Sequence, residues 1–143
     1  MHMTITTGSY HCGETTWEYS GAPVWSGYCH CDDCRRNCDA PLVAWLGVPL
    51  ESFRWTGSAP VTRLSCPGCK RHFCDTCGTP LGLGADHYPG DMHLYAASLE
   101  DPTQFTPEFH VFWSAKLPWL AMDDDLPKYD TSLADSAPEL RER

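Results

Sequence analysis

The chain has 143 residues, 42% of them hydrophobic, and a formal net charge of -9. That length and apolar share suit one packed core and argue against a disordered chain, and so acidic a balance argues against binding a phosphate backbone, which needs clustered Lys and Arg. No apolar run is long enough to span a membrane and no signal peptide is apparent, so a soluble, cytoplasmic protein is expected.

In chain order, residues 4–9 are short and β-prone, and Gly13 follows Cys12 as a turn. Thr15-Thr16-Trp17-Glu18-Tyr19 alternates β-branched and aromatic residues and predicts a strand. After the turn at 20–23, residues 24–28 form a second strand leading into a cysteine loop. Leu42 to Val48 is a continuous apolar run of strand length, closed by Pro49, and is expected to cross the core. Residues 50–55 are ambiguous, and 56–60 read as a loop. Short strands are predicted at 61–65, 92–97 and 110–113, with 71–73 entering and 79–84 leaving a second cysteine turn, and a Pro-rich link at 101–107. The acidic, Pro-punctuated end predicts a single zinc-binding domain over 1–129 and a flexible tail over 130–143. Many short strands and no convincing amphipathic helix give an all-β class, a small zinc-stapled domain of short antiparallel strands.

Nine cysteines punctuate this pattern. An odd count and two C-x-x-C pairs without a secretory signal argue against a disulfide framework and for metal. A thioredoxin-like redox pair at Cys66/Cys69 or Cys74/Cys77 is the rival, but it requires a helical pattern that is missing here. Cys29, Cys31 and Cys34 form C-x-C-x-x-C, three soft ligands for Zn²⁺ that leave a fourth tetrahedral corner open. An open corner marks a catalytic site, whereas a purely fold-holding staple is the competing reading. Cys74 and Cys77, followed by Gly78, form a zinc knuckle to which Cys12 is the obvious third donor. Arg35, Arg36 and Arg71 sit beside the cysteines, either to meet a carboxylate or to offset thiolate charge. His30, His72 and His110 are acid–base candidates or simply hydrogen-bonded residues. Asp123, Asp124 and Asp125 read as a solvated charge run.

With both clusters in place, the sequence resembles the glutathione-dependent formaldehyde-activating enzyme family, which includes centromere protein V. The resemblance runs from about Gly8 to Tyr129. It is carried by Gly-x-x-His-Cys-Gly at 8–13, Tyr-Cys-His-Cys-x-x-Cys-Arg-Arg at 28–36, Phe-Arg-Trp-Thr-Gly at 53–57 and Phe-Cys-x-x-Cys-Gly-Thr-Pro-Leu at 73–81, followed by Ser-Leu-Glu-Asp-Pro at 98–102 and Lys-Leu-Pro-Trp-Leu at 116–120. It implies a β-tent fold with two zinc ions, one catalytic at Cys29, Cys31 and Cys34, the other structural at Cys12, Cys74 and Cys77. It also implies carbon–sulfur lyase or synthase chemistry that joins formaldehyde to glutathione as S-(hydroxymethyl)glutathione. Where the family has C-x-C near the N-terminus, this chain has Tyr10 in place of the first thiol. Cys38, Cys66 and Cys69 are additional thiols, candidates to complete either tetrahedron. A non-catalytic zinc-stapled binding module, or an enzyme acting on another thiol or electrophile, is the alternative.

Overall fold

The computed structural model describes residues 4–142. Ten strands make two sheets. The smaller joins β1 (Ile5–Ser9), β2 (Thr15–Ser20) and β5 (Phe53–Gly57), all antiparallel. The larger has seven strands: β10 (His110–Val111), β3 (Trp25–Cys29), β4 (Val43–Pro49), β9 (Asp91–Tyr95), β8 (Pro80–Ala85), β7 (Cys69–Phe73) and β6 (Val61–Cys66), in that order. Its neighbours are antiparallel except β10, which lies parallel to β3.

The alternation read in residues 15–19 is what buries the smaller sheet. Thr15, Trp17 and Tyr19 point inward, with Trp17 opposite Trp55 and Tyr19 opposite Phe53. That pairing also resolves residues 53–57 as β5. Strand β4 is buried on both faces, as its apolar run predicted. Val43 and Trp45 join one core with Trp25, Leu83, Phe109 and Val111, while Leu46 and Val48 join the other with Trp17, Tyr19, Met92 and Leu94. Period-two geometry thus lets one strand divide two cores. Two glycines allow rings to lie across the sheet: a Cβ at Gly47 would stand 2.1 Å from Trp25, and one at Gly27 would stand 2.3 Å from Phe109.

Two segments depart from the sequence expectation. Residues expected to form only a loop beyond Cys31 include a short helix, α1 (Asp32–Cys38), whose N-cap is Cys31 and which ends at Asp39 in the left-handed region (φ 49°). The second departure is the C-terminal segment, read as a flexible tail. It carries a helical turn, α2 (Leu133–Ser136), and buries Leu133 and Ala137 in the first core. Arg141 holds it down, bonding Asp91 Oδ2 at 3.3 Å and lying 4.4 Å over the Tyr88 ring. Leu and Ala repay burial even in a polar stretch. Nothing in the local periodicity of so short a segment announces it.

No helix among the described residues is long and apolar enough to cross a membrane. If Leu133 is a core residue, Leu133→Ala should lower unfolding stability by about 2–4 kcal/mol in a urea titration. A change below about 0.5 kcal/mol is the value for a surface residue and would show the segment undocked.

Candidate metal centre and its cavity

The first cysteine cluster forms where β3 ends and α1 begins. Cys29 is the last residue of β3, opposite Val43 on β4, and Cys34 lies in α1. Cys31 caps the helix, its sulfur accepting from the Cys34 backbone N–H at 3.2 Å. Strand and cap together bring the Sγ atoms of Cys29, Cys31 and Cys34 within 4.8 Å of one another. Cys29 and Cys34 sulfurs are 3.8 Å apart. Tetrahedral Zn–S bonds of about 2.3 Å require S···S edges of about 3.8 Å, so the donor set fits zinc.

The protons among these sulfurs are unevenly held. Bonds from Cys29 and Cys34 pull the Cys31 thiol down to about 3. Cys29 moves upward, through its bonds to Cys31 and Cys34 and through burial. Cys34 is likewise pushed up to about 12, so a cation taking all three as thiolates displaces the protons of both Cys29 and Cys34. Arg71 supplies the offsetting charge. Its side chain is only 3% exposed, its Nη2 donates to Asp33 Oδ2 at 2.5 Å, and the same nitrogen is 4.0 Å from Cys34 Sγ. Of the two roles read for Arg71, neutralising thiolate charge is therefore the one its contacts match. Arg35 pairs with Asp32 on the surface.

His30, between two ligands, is fully buried. Its Nε2 meets His110 Nδ1 at 2.8 Å, and His110 Nε2 meets Asp124 Oδ2 at 2.8 Å. Burial, then the neighbouring His110, moves His30 down to about 4. Asp124 consequently leaves the solvated run it was assigned to, and the bond from His110 holds its carboxyl below the usual range. The sequence offered no signal for this link, because residues 30, 110 and 124 meet only when the chain after β10 folds back beside it, at the bridge between His110 and Lys128. His72 instead pairs with Thr62 across the β6–β7 hairpin.

The second cluster is more open. Cys12, Cys74 and Cys77 sulfurs also lie within 4.8 Å of one another, Cys12 exposed and Cys74 buried. Gly78 takes a positive φ of 76° directly after the knuckle, and its N–H bonds the Cys74 carbonyl at 2.9 Å. Thr79 Oγ1, 3.0 Å from Cys77 Sγ, leads in drawing that thiol down to about 6. Tyr10 does not replace the family thiol, because its hydroxyl donates to the Leu81 carbonyl and burial pushes its pKa up. Nor do the additional cysteines. Cys66 and Cys69 are joined in a disulfide at the β6–β7 turn, with Cα atoms 5.0 Å apart, and Cys38 lies at the end of α1 outside both groups. The expectation against disulfides thus fails at one pair, which hairpin register places face to face.

A cavity of about 290 Å³ opens beside Cys29, Cys31 and Cys34. Trp25, Trp45, Leu83, Phe109 and Val111 line it, with Arg71 and His93 among its few polar groups. His93 is buried, its Nε2 has no partner, and burial followed by Arg141 and Arg71 pushes it down to about 3.

Against this geometry, the glutathione-dependent formaldehyde-activating enzyme family matches residues 5–115. The chain belongs to that family. A protein of Halomonas elongata named "Putative glutathione-dependent formaldehyde-activating enzyme" is 26% identical over 129 residues, 81% of this chain and 80% of that protein. A crystal structure of a Rhodobacter sphaeroides protein superposes with a TM-score of 0.57 at 23% identity, over 68% of this chain and 92% of that one, a likeness of fold. Both cysteine groups of this family member lie within the matched span.

A histidine whose folded pKa lies below its ordinary value near 6.5 contributes stability above pH 6.5 and loses it as pH falls toward the folded value. Between pH 6.5 and 4, His93→Leu should therefore flatten the fall of stability relative to wild type. An unchanged slope would mean that His93 takes up its proton while folded.

Proposed function

We propose that this chain makes and breaks a carbon–sulfur bond between a small thiol and a small aldehyde at Cys29, Cys31 and Cys34, as a zinc-dependent lyase or synthase of the S-(hydroxymethyl)glutathione kind, in the cytoplasm. The observation that carries it is the placement of three zinc-compatible sulfurs on the wall of a cavity, those of Cys29 and Cys34 buried and that of Cys31 partly so, with no fourth cysteine sulfur joining them among the described residues. Family membership supports the chemistry, with glutathione and formaldehyde as the reactants its name implies.

Zinc at this site supplies a positive centre that keeps an incoming thiol ionised near neutral pH. The chain does the rest. Cys29, Cys31 and Cys34 fix the position of that centre, and the Cys34 amide orients Cys31. Three thiolates around Zn²⁺ sum to a net charge of -1, and Arg71 beside Cys34 limits how far this spreads into the apolar wall. The cavity walls exclude water from the reacting carbon. In the forward direction the thiol sulfur bonds to the carbonyl carbon, the carbon–oxygen π pair moves to oxygen, and the proton released by the thiol ends on that oxygen. The product is a hydroxymethyl thioether, and the reverse step returns thiol and aldehyde. For Cys12, Cys74 and Cys77 we propose a structural zinc site, its open corner facing the surface beside exposed Cys12.

Elemental analysis with thiol-dependent aldehyde consumption tests this directly. Wild type should hold about two zinc ions per chain, and Cys31→Ser about one, with activity down at least about 100-fold and the fold retained. Aldehyde consumption that survives Cys31→Ser, or that wild type lacks with every thiol tried, would leave the cluster as a staple.

A further inference from the structure

The size and lining of the cavity bear on which thiol enters it. A molecule the size of water takes about 30 Å³ of liquid, and an apolar protein cavity of about 150 Å³ holds benzene. At about 290 Å³, the space beside the three sulfurs is far larger than formaldehyde needs. Trp25, Trp45 and Phe109 are all 5% exposed or less, and with Leu83, Val111 and Leu133 they line the cavity. Phe109 and Trp25 lie there because Gly27 and Gly47 give them room.

Charge argues in the same direction. Glutathione carries two carboxylates and an ammonium group, and each buried charge needs a partner. Of the charged residues lining the cavity, Arg71 is already paired with Asp33. Asp33, His87 and His93 are the other titratable acid or imidazole groups of the lining; Arg71 Nε and Nη1 and His93 Nε2 are buried without a partner, places for one or two polar atoms of a ligand rather than for the two carboxylates and the ammonium of a tripeptide.

We propose that the cavity takes a one-ring aromatic thiol, its sulfur at Cys29, Cys31 and Cys34 and its ring against Trp25, Trp45 and Phe109. This rests on the reading that a thiol sulfur meets the cluster, and it names the body attached to that sulfur. The aldehyde then remains small, approaching past the sulfur rather than through the aromatic wall.

The test uses full-length protein loaded with zinc for calorimetry and with Co²⁺ for its sulfur-to-cobalt absorption. The probes are benzyl mercaptan, glutathione and benzyl methyl sulfide, which keeps the ring but has no thiol. Benzyl mercaptan should bind at least about tenfold more tightly than glutathione and shift the cobalt band, with the sulfide binding more weakly. Leu83→Phe, which fills the cavity, should weaken benzyl mercaptan about tenfold at unchanged metal content. Glutathione binding as tightly as benzyl mercaptan, with the band shifted, would overturn the aromatic assignment and leave the thiol reading intact. Binding of the sulfide with no band shift from either thiol would overturn the thiol reading and this placement of sulfur together. Faster turnover of benzaldehyde with glutathione than of formaldehyde with benzyl mercaptan would put the ring on the aldehyde, against the proposal.

Discussion

Mutual repulsion among three sulfurs is the constraint on which the cavity side of this molecule depends. Thiolates about 3.8 Å apart repel strongly in a buried setting, so the folded chain must either keep some protonated or surround them with positive charge. It does both. Cys29 is pushed toward its protonated form while Cys31 is held ionised by the bonds it accepts, and Arg71 is buried against Cys34 although its guanidinium keeps two unpartnered nitrogens. A buried arginine with an incomplete set of partners is costly unless a lasting negative charge lies beside it. Its position is best understood as the counterpart of the cluster, and β7 and α1 are held together at that point by the Arg71–Asp33 pair.

The sheet enforces this arrangement from behind. Because β4 is buried on both faces, its register with β3 is fixed, and a slip of one residue would exchange the two cores. Cys29 therefore arrives at one height above Val43, and the capping geometry of Cys31 sets where α1 starts. The His30–His110–Asp124 chain ties the residue between the two ligands to the parallel strand and to the segment beyond it. The loop carrying the sulfurs is thus gripped on three sides.

Much of this was legible in the sequence, for physical reasons that differ from place to place. Period-two burial made β2 readable, and a run of apolar residues bounded by Pro49 made β4 readable. Cysteine spacing reads Cys29, Cys31 and Cys34 as neighbours, and Cys74 with Cys77, because C-x-x-C geometry is local, whereas Cys12 comes to its group from 62 residues away. What escaped was long-range or too short to show a period. Seven residues of α1 hold only one buried side chain, Cys34, so no amphipathic pattern exists to be read. Leu133 and Ala137 dock through contacts with distant rings. Asp124 looked like its acidic neighbours, and its buried partner His110, 14 residues earlier, is what draws it into the chain to His30. The Cys66–Cys69 bond depends on hairpin register rather than on spacing alone, since Cys74 and Cys77 share that spacing and stay free.

The two sulfur groups show why ligand count alone does not separate a reactive centre from a staple. Each supplies three cysteines in the same compass, and neither gains a fourth from the additional thiols. Their surroundings differ. At Cys12, exposure lets water reach the sulfurs, and in high dielectric any charge held there is screened within a short distance. Cys29, Cys31 and Cys34 instead give onto aromatic walls and a cationic neighbour, Arg71, where charge is screened less. The replacement of a thiol by Tyr10 fits this contrast. The tyrosine turns its hydroxyl to Leu81 and adds its ring to the core around Trp17 and Leu46. Packing thus stands where the family resemblance places a thiol, in keeping with the structural role proposed for Cys12, Cys74 and Cys77.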